Sequence, residues 1–401
     1  MRLVKIFFLI LTLIIMLDIT CLSAYTLIMK SERNSSIEIL RILAMVLICI
    51  SHTIPTSPYP SADASNPFIE SIASANVQYF FGDCMGAAGL VGDAIFIVCS
   101  AYFLLDSKKM RIGKVALMIL NTLVISLVFM SVILALGYKL SAYEIVRQIF
   151  PTIFQNNWFV SYYIVFYLIH PLLNRIIRVL DKRALGIAAA LLFVECFIFL
   201  FIQAKAPGIH KLMCFVAYYF IVAYFKYYGH SFTRSKKWNT VVLVSSIVLY
   251  YAMRLLVNYI GLKFYEGEYC PLFSLFHINS PIILAFSISL FNLANRKQFV
   301  SKPINFISSL SLLFYLIHHN NLFAEYIQPK WHTWFVGEFG GNLLLCDMLL
   351  LSAILFVAGM LLAAIFKLTI ERGTSYIADR LQYLTDKLVT KIKDKKNSPT
   401  C

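Results

Sequence analysis

Ten apolar runs dominate this 401-residue chain. They fall at roughly 36–54, 87–105, 114–137, 158–177, 184–203, 211–227, 239–260, 272–292, 304–322 and 346–369. A hydrocarbon core needs about 20 residues of helix to cross it, so each run is close to the length of one crossing. In lipid every backbone N–H and C=O must be paired inside the element, which leaves helices for runs of this kind. The predicted fold class is therefore all-α, a polytopic membrane helix bundle of about ten transmembrane helices.

Charge alternates with these runs. One set of loops carries most of the 35 Lys and Arg, with Lys108, Lys109, Arg111 and Lys114 in a single connection. The alternate loops carry only Lys139, Arg147, Lys205, Lys211, Lys263 and Lys330. Positive loops stay in the cytoplasm. The body is expected to lie in the cell membrane (inner or plasma) with both ends cytoplasmic, and its first partner is the lipid bilayer. The net charge of +15 is then a mark of topology, and no nucleic-acid partner is expected.

Three segments follow. Residues 1–29 form an extra hydrophobic segment in which Arg2 and Lys5 precede an apolar run containing Asp18. It reads as an anchor, a signal-like segment or a mis-assigned start. Residues 30–371 form the ten-helix domain. Residues 372–401 form a tail with Ile377, Leu381, Leu384, Leu388 and Ile392 on one face and Arg380, Lys387, Lys391 and Lys395 around it. Such a basic amphipathic helix suits an anionic inner leaflet. The first outer loop, 55–86, starts with Pro55, Pro58 and Pro60, against regular structure there. The last, about 323–345, holds Trp331, His332 and Trp334, as interfacial anchors or an aromatic platform for a sugar. The cysteines contain no C-x-x-C or metal-like spacing and read as small core residues. Cys84 and Cys270 fall in outer segments, where pairing stays open.

The chemistry concentrates in the first run. His52 follows Arg41 by eleven residues, which in a helix returns it to within about 20° and about 16 Å further along the axis. Glu38 lies three residues before Arg41 on the same stripe. Ionisable groups in hydrocarbon cost about 2.5–3.5 kcal/mol each on insertion scales and usually mark a functional path. The alternative is structural: an ion pair at the inner interface and a polar residue near the outer one. In the second run Asp93 and Ser100 share a face, Asp93 suited to orienting a histidine or binding acceptor hydroxyls. Ser100 suits helix–helix bonding better than nucleophilic attack, since no Gly-x-Ser-x-Gly elbow surrounds it. Gly86, Gly89 and Gly92 permit close packing. In the ninth run Ser311, Tyr315 and His318 form one stripe, and His318 comes near the level of His52. No third ligand accompanies the two histidines, so no metal is expected. Trp158, at the outer boundary, serves as anchor or as a stacking face.

Five local patterns, in order, resemble the acyltransferase-3 family of integral-membrane acyltransferases. They are Arg41-x10-His52 preceded by Glu38; the Phe-rich second run from Phe96 to Phe103; Trp158-Phe159 opening a run that closes with Pro171-Leu172-Leu173-Asn174; Tyr315-Leu316-Ile317-His318; and Ile370-Glu371-Arg372. Ala101 stands where the family usually has glycine, and Gly373 where it often has proline. The resemblance implies His52 as the catalytic histidine, as general base or transient acyl carrier, with Arg41 and Glu38 as its partner motif. It implies acyl-CoA, commonly acetyl-CoA, as cytoplasmic donor substrate, no tightly bound cofactor, and a sugar hydroxyl of a cell-surface or lipid-linked glycan as acceptor. Asp93, Ser100, Trp158, Tyr315, His318 and Arg111 are the substrate-binding candidates, Arg111 with its neighbours facing the CoA phosphates or serving only topology. The other reading is a transporter or flippase of lipid-linked glycan, disfavoured by the lack of inverted repeats.

Overall fold

The structure, a computed structural model, describes residues 33–54, 77–107, 110–202, 208–264, 276–340 and 343–397. The expected segment 1–29, the proline-rich start of the first outer loop, Lys108, Lys109, Lys205 and Cys270 lie outside the described residues.

All regular structure among the described residues is helical. In chain order the helices are α1 (Ser35–Ser51), α2 (Val77–Leu104), α3 (Ile112–Ala135), α4 (Ala142–Ile149), α5 (Trp158–Val179), α6 (Lys182–Ile202), α7 (Gly208–Tyr228), α8 (His230–Thr233), α9 (Lys236–Phe264), α10 (Pro281–Asn295), α11 (Lys302–Ser309), α12 (Ser311–His318), α13 (Asn321–Tyr326), α14 (Gln328–Phe339), α15 (Leu344–Leu368) and α16 (Ile370–Asn397). Five stretches are long and apolar enough to cross a membrane: Cys84–Leu104, Ile112–Ala135, Trp158–Val179, Lys236–Val257 and Leu344–Leu368. Each of the other predicted runs also holds a helix, but α1 has only 17 residues and α10 only 15.

The ninth run departs from expectation. It is two helices meeting at Leu310 rather than one. Pro303 starts the first of them. Near its end Ser309 Oγ donates to the Phe306 carbonyl at 2.6 Å. A serine that bonds back onto its own helix competes with the backbone ladder and bends it. The segment expected as the last outer loop also differs from a simple loop, because it contains α13 and α14.

Helix association in a bilayer depends on close packing and interhelical hydrogen bonds more than on hydrophobic burial. The packing of α1 on α2 follows that rule. A Cβ added at Gly92 would stand 2.6 Å from the Ala44 carbonyl oxygen, and one at Gly89 would stand 2.0 Å from Ser51 Oγ. The glycines set the distance between these helices, and α1 occupies the centre of the bundle. One buried cluster joins α1 and α2 to α5, α7 and α10 through Ile37, Phe166, Phe215 and Tyr219. A second joins α1 to α3, α5, α12 and α15 through Ile48, Ile125, Val160 and Phe314. Helix α9 lies at the edge, with Val248, Leu255 and Leu256 exposed, as a lipid-facing helix requires.

The proline inside α5 is compensated locally. Pro171 has no N–H for the Tyr167 carbonyl, and the His170 ring takes that carbonyl with Nδ1 at 2.5 Å. Three residues on, Asn174 Nδ2 donates to the carbonyls of Leu104 and Ser107 at 3.0 and 3.2 Å. It thereby satisfies the open C-terminus of α2. The tail helix α16 starts at Ile370 and packs its first turns on α3, where Gln382 Oε1 accepts from the Gly113 N–H at 2.9 Å. On its other face Ile377, Leu381, Leu384 and Leu388 stay exposed.

Candidate functional site

The site is built at the C-terminal end of α1. The last helical residue is Ser51, and His52 forms the cap. Its Nδ1 lies 3.1 Å from Nε2 of His318, the last residue of α12. His318 is buried, and its Nδ1 is 2.9 Å from the Phe314 carbonyl. A carbonyl only accepts, so His318 Nδ1 carries a proton. With both rings uncharged, His318 Nε2 is then the lone pair, and His52 Nδ1 must be the donor to it. The His52 Nε2 lone pair is left for a third group. The other face of His52 is stacked on His319, with ring centroids 3.9 Å apart. Phe314 stacks beneath His318 at 4.4 Å.

A second set of bonds holds the His52 backbone. Gln328 of α14 donates from Nε2 to the His52 carbonyl at 2.9 Å. One turn on, buried His332 meets Asp347 of α15, Nδ1 to Oδ2 at 2.7 Å. Trp331 Nε1 donates to the other oxygen of the same carboxylate at 2.7 Å. Trp331 and His332 are thus structural partners of a buried acid, while Trp334 remains exposed beside Trp331.

At the opposite end of α1, Arg41 Nη1 bonds both oxygens of Glu38 at 3.2 and 3.3 Å. Ser308 of α11 donates to the same carboxylate, so the pair is fastened to a second helix. The guanidinium stands 5.9 Å from the Phe103 ring. Arg111, Arg33 and Arg41 all lie within electrostatic range of Lys114. Four cations gathered with one paired acid make the N-terminal end of α1 strongly positive. The backbone N–H of Arg111 donates to Tyr167 Oη at 3.3 Å, and its side chain is exposed.

The other candidates distribute as follows. Tyr315 is buried, with its ring 5.8 Å from His318 and 5.4 Å from His319. Asp93 is buried within electrostatic range of Tyr315. Ser100 bonds the Tyr163 hydroxyl, joining α2 to α5. Trp158 packs on Phe159 and carries Lys211 of α7 over its ring at 5.2 Å. His318 and Tyr315 are thus brought to His52, whereas Glu38, Arg41 and Arg111 gather at the N-terminal end of α1. Ser100 and Trp158 join neither group directly. Glu371 bonds Asn121 at 3.0 Å and faces Lys367 at 3.9 Å, so its ionic partner is a residue of α15 rather than adjacent Arg372.

His319, Gln328 and Asp347 were not among the sequence candidates. His319 adjoins His318 and reads on its own as interface polarity, and the other two gain meaning only when α14 folds back over His52. A separate cavity of about 330 Å³ opens between α2, α7, α8 and α10, with Lys226, His230, Arg234 and Arg296 among its walls.

Outside the spanning segments, one acid is strongly tuned. Glu144 completes a capping box with Ser141 and accepts from the Tyr326 hydroxyl at 2.7 Å. Its carboxyl is held down to about 2, by the Ser141 hydroxyl first and the Tyr326 hydroxyl second. The bond raises the Tyr326 phenol to about 12. This contact ties α4 to α13, the helix that follows the His318 segment.

Neither a curated protein nor a solved structure matches the chain. The acyltransferase domain of the acyltransferase-3 family matches residues 34–368, a stretch that begins at the cap of α1 and ends with α15. That span contains the histidine pair, the Glu38–Arg41 pair and all the helices that position them, and the chain is a membrane protein of the acyltransferase-3 family.

Proposed function

We propose that this protein moves an acyl group, most simply acetyl, from cytoplasmic acyl-CoA to a sugar hydroxyl of a cell-surface or lipid-linked glycan. The observation that carries the reading is the tautomer imposed on His52, whose Nε2 is left as a base. In the reaction His52 Nε2 takes the hydroxyl proton as the sugar oxygen attacks the thioester carbonyl carbon. The tetrahedral oxyanion collapses, the C–S bond breaks, and the departing CoA thiolate recovers the proton from His52. His318 Nε2 accepts from His52 Nδ1 throughout, which stabilises the imidazolium formed midway. General-base help of this kind is worth about 10²–10⁴ in rate.

The donor enters at the positive inner end. CoA phosphates pair with the cations around Lys114, and the acyl-pantetheine arm runs along α1 past Arg41. Arg41 and His52 stand about 16 Å apart on one helix stripe, which gives the arm its path. The ten-helix topology, with both ends of the body in the cytoplasm of a cell-membrane protein, is part of this proposal. The short helices α1, α10, α11 and α12 would complete their crossings as pieces buried within the bundle.

The test uses purified protein in detergent with acetyl-CoA and a sugar acceptor, reading release of free thiol. Acceptor-dependent thiol release that disappears in His52→Ala, at unchanged membrane abundance, supports the assignment. Wild-type activity in that variant refutes the role of His52. Acceptor movement across vesicles without thiol release favours the flippase reading.

A further inference from the structure

Helix α6 carries a charge where an apolar helix has little use for one. Glu195 lies within Leu191-Leu192-Phe193-Val194-Glu195-Cys196-Phe197-Ile198, and an ionisable residue in such a run marks a site unless it is paired. The fold brings it companions with metal-binding chemistry. Ligand atoms of Glu195, Cys196 and His210 all lie within 4.8 Å of one another. The Cys196 thiol also contacts the Cys214 thiol. Cys214 follows His210 by one helical turn on α7, and its Sγ approaches the His210 carbonyl at 3.1 Å. Cys196, His210 and Cys214 are buried, whereas Glu195 is exposed.

We infer that Glu195, Cys196, His210 and Cys214 form a binding site for a borderline-soft divalent cation of the zinc type, clamping α6 to α7. Two sulfurs, one imidazole and one carboxylate are a donor set that suits tetrahedral zinc. Tetrahedral bonds to sulfur and nitrogen place the ligand atoms about 3.5 Å apart, so small side-chain rotations close the observed cluster. Both thiols give up their protons to solvent when the cation binds.

A second observation points the same way. Buried Asn279 lies with Nδ2 3.3 Å from His210 Nε2 and 3.2 Å from the Cys196 carbonyl. Nδ2 is a donor, so the amide bridges the His210 ring nitrogen and the Cys196 carbonyl and holds the two ligand-bearing helices together. Asn279 Oδ1 itself has no hydrogen-bond partner, and water on a cation beside it would be the missing donor. Glu195, as the exposed member, is the ligand that water or a substrate oxygen replaces most easily. The cysteines carry no metal spacing in sequence because their set is split, Cys196 on one helix and His210 with Cys214 on the next. The site is independent of the proposed acyl transfer.

The experiment equilibrates the untagged full-length protein in detergent with Zn²⁺, desalts it and measures metal per chain. About one zinc per chain is expected for the wild type and for Cys346→Ser, and less than about a tenth of that for His210→Ala and for the Cys196→Ser, Cys214→Ser double variant. Loading the wild type with Co²⁺ should give thiolate-to-cobalt charge-transfer absorption, a readout that does not depend on whether the variants fold. Wild-type protein that binds no zinc while both thiols react freely with an alkylating agent overturns the inference. So does a Cys196–Cys214 disulfide in the protein as isolated, found by peptide mass spectrometry.

Discussion

His52 Nδ1 lies 3.1 Å from His318 Nε2, and the far nitrogen of His318 is fixed on the Phe314 carbonyl. The chain of donors runs one way, from His52 through His318 to α12. Replacing His318 with Ala removes the acceptor that selects the His52 tautomer. Acyl transfer should fall about 10²-fold or more, with KM for acyl-CoA little changed because the donor's proposed contacts are at the other end of α1. Steady-state kinetics on purified His318→Ala decide this. A drop confined to KM would place His318 in substrate binding instead.

The buried carboxylate of Asp347 accepts from His332 and Trp331 at once. Asp347→Ala leaves both donors without a partner. At about 1–3 kcal/mol for each unsatisfied group, the loss should total about 2–6 kcal/mol and appear as a marked fall in the apparent melting temperature in detergent. Activity should fall as well, because α14 carries Gln328, which holds the His52 carbonyl. A variant with wild-type stability would show that these bonds do not hold α14 in place.

Two glycines predict opposite signs for the same change. A Cβ at Gly92 meets the Ala44 carbonyl at 2.6 Å, an atom fixed in the backbone of α1. Gly92→Ala should force the helices apart and cost about 1–3 kcal/mol. Gly337, within α14, has nothing within 4 Å of its added Cβ. Gly337→Ala should be neutral or stabilising by up to about 1 kcal/mol, the helix-propensity difference. Thermal unfolding of the two variants side by side tests the pair of signs.

The sequence makes some of this legible and hides the rest for physical reasons. Apolar length marks helices because lipid forces backbone pairing within each run, so every predicted run holds a helix. The levels of His52 and His318 follow from helical rise alone, and they meet. The break at Leu310 is hidden because Ser308, Ser309 and Ser311 fit both a polar stripe and a bend. The Asp347–His332 bond is hidden because it joins α14 to the start of α15, and no periodicity spans that turn. The role of Asn174 belongs to the same class, since its partners are backbone carbonyls at the end of a different helix.

The Glu144 contact gives a pH dependence with a definite sign. The carboxyl is held at about 2 against an ordinary value of 4.5. A group whose folded pKa is depressed contributes its stability above the unfolded pKa and loses it as pH falls through the folded one. The α4–α13 tie should therefore be fully present at pH 7 and at pH 5, and should weaken between about 4.5 and 2. Glu144→Gln removes the charge that accepts from Ser141 and Tyr326. The melting-temperature difference between wild type and Glu144→Gln should be constant from pH 7 to pH 5 and shrink below that. The difference should also narrow in high salt less than a simple ion pair would, since the carboxylate's main partners are hydroxyls and a backbone N–H rather than a cation. A difference that instead grows as pH falls would mean that another group, and not this carboxylate, governs the contact.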